Sequence, residues 1–217
     1  MAAMAAMAAD ALAPAPAGSA PAADGHAGGV DGPARRIDAP GRVAIRQACP
    51  TDYEGLRDFL AGLSLRTRYL RFFAGVVPVI PLMLRRLIGG ARPGRYVDVL
   101  VAVEDGVIIG HGMSSDDNSP SGERVSEMGV VVTDARQGRG IGTALMRALA
   151  GRARARGATA VMMDVLAENQ RMLAMIEKQL PAARQERSGP YVTVRARLPR
   201  PREEPPREPL SRTGQPQ

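Results

Sequence analysis

The sequence predicts a mixed α/β fold, one β-sheet flanked by helices, and three observations lead there. Glu104-Asp105-Gly106 separates two β-rich runs, and Asp-Gly in that setting marks an antiparallel hairpin. Val130–Val132, a short polar link and the run Gln137–Gly142 lead into a helical pattern, which is the order strand, glycine loop, helix. Ala160–Val165 is almost continuously apolar, as a central strand covered on both faces must be. The predicted order of β, helices, antiparallel hairpin, β, α, β, α, β gives a mixed sheet rather than a doubly wound parallel one.

Each element has a local reason. Val43–Arg46 reads as a short first strand. Thr51 or Asp52 is placed to cap a helix that presents Leu56, Phe59, Leu60 and Leu63 on one face. Leu65, Tyr69, Phe72 and Phe73 continue that spacing. Pro81–Leu87 reads as a further turn or two of helix, begun by its proline and ended by Gly89-Gly90. Tyr96–Val103 and Val107–Met113 form the hairpin, Ser114–Gly122 reads as a polar loop, and Arg124–Val132 as the next strand. Gly140–Arg156 is amphipathic, with Ile141, Leu145 and Leu149 aligned and Gly157 as a stop. Asn169 is placed to cap a helix over Gln170–Leu180, and Tyr191–Arg197 reads as the last strand.

The glycine run carries the chemistry. Glycine has no Cβ, so backbone N–H groups at the start of a helix can close on a phosphate. Three loop types compete. A Walker loop needs Gly, Lys and Ser/Thr where this chain has Thr143 and Ala144, so that reading fails. A dinucleotide fingerprint is met by Gly138 and Gly140 but finds Thr143 at its third glycine, with Asp164 at the distance of a ribose ligand. The third pattern, Gln/Arg-x-x-Gly-x-Gly/Ala, is met fully by Gln137, Gly140 and Gly142.

That last pattern resembles the acyl-CoA pyrophosphate loop of the GNAT acyltransferase superfamily, and the resemblance extends over roughly residues 43–197. It implies a mixed, centrally splayed sheet and acetyl-CoA as cosubstrate. It also implies that Gln137, Gly138, Arg139, Gly140, Ile141, Gly142 and Thr143 contact the pyrophosphate, and that Val130, Val131 and Val132 pair with the pantetheine arm. A strand N–H there would hold the oxyanion. Asn169 matches an asparagine often directed at CoA. Glu127, ten residues before Gln137, matches the place of a general base. It shares a strand face with Gly129 and Val131; other branches put the glutamate at the position of Ser126, and a bulge would change which face it presents. The segment Leu63–Phe73 is similar to the first helical region of bacterial protein lysine acetyltransferases, and the chain has no room for the extra regulatory domain those enzymes often carry. There are departures. Ile176 stands where many relatives have a tyrosine that protonates the leaving thiolate, and Leu180-Pro181 replaces the usual Gly-Phe.

Composition sets the bounds. Residues 1–40, rich in Ala, Pro and Gly, and residues 200–217, rich in Pro, Arg and Glu, have no apolar period and are predicted disordered, leaving one domain over 41–199. Met1, Met4 and Met7 are all possible starts. The leader lacks the basic n-region and leucine-rich stretch of a signal peptide. Net charge is +7, nearly all arginine, with Lys178 the only lysine. With no Trp and few aromatics there is no base-stacking platform, so no nucleic-acid partner is predicted. One cysteine, Cys49, excludes an internal disulfide and fits the cytoplasm. The longest apolar stretch, Val76–Leu84, is interrupted by Pro78 and Pro81, so no membrane span is predicted. No metal set is read. Asp116 and Asp117, in the polar loop, are candidates to attract a cationic amine; His111 reads as structural. The predicted activity is N-acetyl transfer to an amine, with a protein lysine first. A small-molecule amine and a non-catalytic CoA-binding module are the alternatives, and the oligomeric state stays open.

Overall fold

The computed structural model describes residues 43–73, 88, 96–118 and 123–199. The predicted helix at Pro81–Leu87 and both predicted tails lie outside the described residues. Within them run β1 (Val43–Gln47), α1 (Tyr53–Gly62), α2 (Leu65–Phe72), β2 (Val97–Glu104), β3 (Val107–Asn118), β4 (Arg124–Val132), α3 (Ile141–Ala155), β5 (Ala160–Leu166), α4 (Gln170–Gln179), β6 (Arg184–Ser188) and β7 (Tyr191–Arg197). The seven strands form one sheet in the order β1-β2-β3-β4-β5-β7-β6. All neighbours are antiparallel except β4 and β5. The mixed, helix-flanked sheet is therefore as predicted.

The period of two in the strands divides the core. Leu100 and Ala102 of β2 enter one cluster with Met128, Val132, Leu145, Leu149 and Ile176, under α3 and α4. Val99 and Val101 of the same strand enter the other, with Leu56, Leu60, Leu63, Met113 and Val131, under α1. Each fully buried leucine contributes about 1.5–3 kcal/mol, so these two layers are the main stabilising term.

Local chemistry corrects several predicted boundaries. Asp52 does not cap α1 with its side chain. Its carboxylate accepts hydrogen bonds from Arg46 at 2.6 and 2.7 Å and from the Cys49 N–H at 2.8 Å, tying β1 to the start of the helical layer. The Arg46 guanidinium holds this carboxyl well below the usual carboxylate range, against desolvation. The helical run expected to continue past Leu63 breaks at Ser64, whose hydroxyl caps α2 by accepting from the Thr67 N–H at 3.1 Å.

The predicted loop Ser114–Gly122 begins as strand: β3 continues to Asn118, pairing Ser114 with Met128 and Asn118 with Arg124. The acidic centre of this stretch, Asp116, stays in the sheet because its side chain has a buried partner. Asp116 is 4 % exposed. It receives Arg156 at 3.1 and 3.2 Å, and Arg156 also pairs with Asp98 of β2. Arg152 adds contacts to Gln47 at 2.7 Å and to Asp98 at 3.4 Å. The C-terminal end of α3 is thus clamped to three strands. Strand β6 is a further difference. All five of its residues are exposed, so it carries no apolar alternation for a sequence reading to find.

Removing the centre of that clamp tests it. Arg156→Met is expected to cost about 2–4 kcal/mol, somewhat below the usual cost of stripping a buried ion pair because Arg156 is not fully enclosed. A urea unfolding midpoint that gives less than about 0.5 kcal/mol, the scale of an ordinary surface change, would show the clamp to be idle.

Candidate active site

Strand β4 has two partners at its start and one at its end. It pairs with β5 only at Val125↔Ala160, Ser126↔Val161 and Glu127↔Met162. Its pairing with β3 runs on unbroken to Val132↔Gly110. β5 meanwhile continues alongside β7 as far as Leu166↔Tyr191. The sheet therefore forks after Glu127, and on the β5 side residues 128–132 have no pairing strand. A cleft of about 2330 Å³ opens at the fork. Met128–Val132, Gln137, Gly138, Gly140–Thr143 and Asn169 line it.

The loop leaving β4 is shaped by two glycines. Gly138 has φ +80° and Gly140 φ +82°, a left-handed conformation that any residue with a Cβ resists. Gly140 is the N-cap of α3 and offers no side-chain oxygen, so the N–H groups of the first turn are not occupied by a capping side chain. These donors and the helix dipole face the same cleft, which suits an anion.

Gln137 has a different local role from its neighbours. Its amide nitrogen donates to the Val132 carbonyl at 3.1 Å and to the Thr67 hydroxyl at 3.3 Å, and its amide oxygen accepts from Arg171 at 3.0 Å. The side chain thus ties the end of β4 to α2 and α4. Asp134 completes the knot, accepting from the Ser64 N–H at 3.0 Å, the Ser64 hydroxyl at 2.8 Å and the Thr67 hydroxyl at 2.7 Å. Desolvation acts to raise the Asp134 carboxyl, but the hydrogen bonds from Ser64 and Thr67 outweigh it and hold it below its ordinary value.

The other expected residues are distributed unevenly. Arg139 is exposed and is not among the residues lining the cleft. Asn169 caps α4, accepting from the Met172 N–H at 3.2 Å, and also faces the cleft. Glu127 is half-buried at the fork itself, beside rather than among the lining residues. No bulge interrupts the β3–β4 register, so Glu127 keeps the face of Gly129 and Val131, toward α1 and α2. The bulge that does occur lies between Ala102 and Val103 of β2. Asp116, considered as an attractor for an amine, lies instead on a buried stretch of strand facing Arg156, which leaves it no such role. Asp117 occupies a position on β3. His111 is 1 % exposed within the sheet, as its structural reading requires. Ile176 is fully buried in the core, and no tyrosine is among the described residues lining the cleft. Asp164, the ribose candidate of the dinucleotide reading, accepts the Thr193 hydroxyl at 2.6 Å.

Two arginines of the cleft were given no individual role in the sequence. Arg171 follows Asn169 by two positions, and its guanidinium passes 3.7 Å from where a Cβ on Gly138 would stand. A cation in the first turn after an asparagine cap was the available clue. Arg71 lines the cleft on the opposite side, and nothing in its spacing distinguished it from the arginines around it.

The sequence model of the acetyltransferase (GNAT) family matches residues 67–180. The chain belongs to the GNAT acetyltransferase family. Solved structures agree in fold. The GNAT domain of S. lividans PAT superimposes with a TM-score of 0.64 at 25% identity, covering 73% of this chain and 92% of that one. A ribosomal-protein-alanine N-acetyltransferase from Brucella melitensis gives 0.57 at 22%, covering 71% and 99%. A GNAT superfamily phosphinothricin acetyltransferase from Sinorhizobium meliloti, solved in complex with AcCoA, gives 0.59 at 17%, covering 72% and 88%. No curated protein matches the chain. Among the described residues there is no group of side chains able to hold a metal ion and no helix long and apolar enough to cross a membrane. The forked strand and the glycine turn of this GNAT domain thus lie on one cleft, and the Asp134–Gln137 knot fixes their relative position.

The knot has a pH signature. Asp134 has a depressed carboxyl in the folded chain, so its contribution is present above the unfolded value near 4 and is lost as pH falls through the folded value. Asp134→Asn is expected to cost ~0.5–1 kcal/mol at pH 7, discounted for the exposure of Asp134. The difference from the parent should shrink as pH drops below about 4. Urea titrations at several pH values measure this; a pH-independent difference would contradict the assignment.

Proposed function

We propose that the protein transfers an acetyl group from acetyl-CoA to an amine, with a protein lysine as the acceptor. The observation that carries this reading is the fork of β4 from β5 beside the glycine turn. One anion site and one unpaired strand edge lie end to end, and a thioester carrier with a pyrophosphate and an amide-bearing arm needs both. The pyrophosphate sits on the N–H groups from Gly138 to Thr143, with Arg171 above them and Asn169 beside them. The arm pairs with Val130–Val132, and one strand N–H holds the carbonyl oxygen as it becomes an oxyanion.

The chemistry then needs only a proton acceptor. Glu127 takes one proton from the acceptor ammonium through an intervening water. The free amine attacks the thioester carbonyl, the new C–N bond forms, and the C–S bond breaks. The attacking nitrogen gives up its second proton to solvent, and the CoA thiolate leaves and takes a proton from solvent, since Ile176 has none to give. A lysine on a polypeptide suits the cleft. Leu65 and Tyr69 are exposed at 65% and 37% on α2, whose Arg66, Thr67 and Leu70 line its wall, an open face that a polypeptide can lie against. A cytoplasmic location belongs to the same proposal. Incubating the protein with a lysate and labelled acetyl-CoA, followed by mass spectrometry, identifies the acceptor; labelled small amines without labelled protein would favour the small-molecule reading, and no labelling a binding module.

Two substitutions test the parts. Gly140→Val places a β-branched residue at φ +82° and turns the first N–H groups of α3 away. Acetyl-CoA affinity measured by calorimetry should fall at least about tenfold while circular dichroism stays normal. Unchanged affinity would remove the anion site. Glu127→Gln should keep that affinity and lose roughly a hundredfold or more in rate. A variant as fast as the parent across the pH range would exclude Glu127 as the base.

A further inference from the structure

Arg71 stands in the last turn of α2 and is 7 % exposed. Its guanidinium lies flat against a strand residue that has no side chain. A Cβ built on Gly129 would come within 2.8 Å of Cζ and Nη2 and 3.0 Å of Nη1. Its Cζ also lies 5.2 Å from the centre of the Phe72 ring. The absent side chain at 129 therefore makes the seat for Arg71. That seat is adjacent along the strand to Glu127, since 127, 129 and 131 share one face of β4. Burial pushes the Arg71 guanidinium down to about 10, and the Glu127 carboxylate acts in the opposite direction.

A leucine or methionine would fill this place against Gly129 at lower desolvation cost, so packing alone does not account for an arginine. A charge beside Glu127 does. We propose that Arg71 is a positioning residue: seated on Gly129, it holds Glu127 as an oriented carboxylate at the fork. The proposal rests on the reading of Glu127 as the general base and adds the group that keeps it ionised.

Other charged groups share that side of the sheet. On β5, Met162 stands opposite Glu127, and Asp164, two residues on, accepts from Thr193. On β7, Arg195 lies opposite Met162 and pairs with Glu123 at 2.5 Å. On β3, Ser115 stands opposite Glu127, and Asp117 occupies the register position two further on. On α2, Arg68 turns back to the carbonyls of Leu63 and Ala61, and Arg66 faces Glu168 at 3.9 Å. Arg71 is the cation seated next to Glu127 on its own strand face.

The direct test is the titration of Glu127 by carboxyl-¹³C NMR of full-length protein carrying labelled glutamate, with the resonance assigned by its loss in Glu127→Gln. Arg71→Met keeps the length and apolar stem and removes the charge. It should move the Glu127 midpoint up by about one unit or more. Arg71→Lys should restore it toward the parent. Gly129→Ala, which keeps the arginine and displaces its head group, should move it in the same direction as Arg71→Met. A Glu127 midpoint unchanged in both Arg71→Met and Gly129→Ala overturns the proposal and leaves the base untouched. Acetylation of the labelled acceptor separates the two claims. The acid limb of kcat/KM should move up in Arg71→Met and follow the NMR midpoint. A Glu127→Gln variant as fast as the parent, with the NMR shift still present, would overturn the base and with it the catalytic purpose of Arg71.

Discussion

Beyond Glu127 the β5-facing backbone groups of β4 have no strand to bond. Buried N–H and C=O groups without partners are costly, so an open strand edge in the middle of a sheet is an arrangement that must be held in place and completed. On the β3 side the ladder from Val125↔Asp117 to Val132↔Gly110 is unbroken. On the other side β5 is kept at a distance by its own full pairing to β7. Closing the gap would mean bending β4 together with β3, or β5 together with β7. The fork is stable because each arm is fixed from outside, and an open edge of this kind can accept an amide-bearing chain as an added strand.

The polar knot at the end of β4 serves the same constraint. A strand that stops pairing on one side is free to swing, and its last residues lead directly into the glycine turn. Asp134 holds the N-terminus of α2, and Gln137 bridges Val132, Thr67 and Arg171. Two helices, α2 and α4, and the strand end are thereby referred to one point. This gives Gln137 a reason to be glutamine that does not depend on touching a ligand: it must donate at one end and accept at the other, and glutamate or lysine can do only one of these.

How much of this was legible depended on whether a residue's role lay in its immediate sequence. Asp105-Gly106, Gly138-x-Gly140 and the apolar run of β5 are local signals, and each appeared where expected, with Asp105 at φ +48° and Gly106 at +83° in the hairpin turn. The polar half of β3 was read as loop because the partner of Asp116, Arg156, is 40 residues away. β6 was missed because an exposed edge strand needs no apolar face and is better protected from stray pairing by charge, here Arg184, Glu186 and Arg187. Asp52 was read as a cap because that is what its position offers, and Arg46 outbid the helix for it. In the site, backbone geometry was readable and side-chain partnership was not: the glycine loop came from spacing alone, while Arg71 and Arg171 became visible only once Gly129 and Gly138 were in space.

The arginines carry the last step of the argument. A net charge of +7 with one lysine invites a search for a phosphate-binding surface. The fold pairs part of that charge with carboxylates. Arg46 holds Asp52, Arg136 meets Glu104 at 2.6 Å, Arg152 and Arg156 meet the carboxylates under α3, and Arg71 lies buried on the sheet. Guanidinium is suited to these positions because its planar fork can satisfy two acceptors at once and its weak hydration lowers the penalty of burial. Beside the glycine turn Arg171 is a placed cation, its guanidinium 3.7 Å from where a Cβ on Gly138 would stand. Specificity for an anion at that point comes from the direction of the α3 N–H groups and from the two glycines that let them converge, and the overall charge of the chain is a poor guide to it.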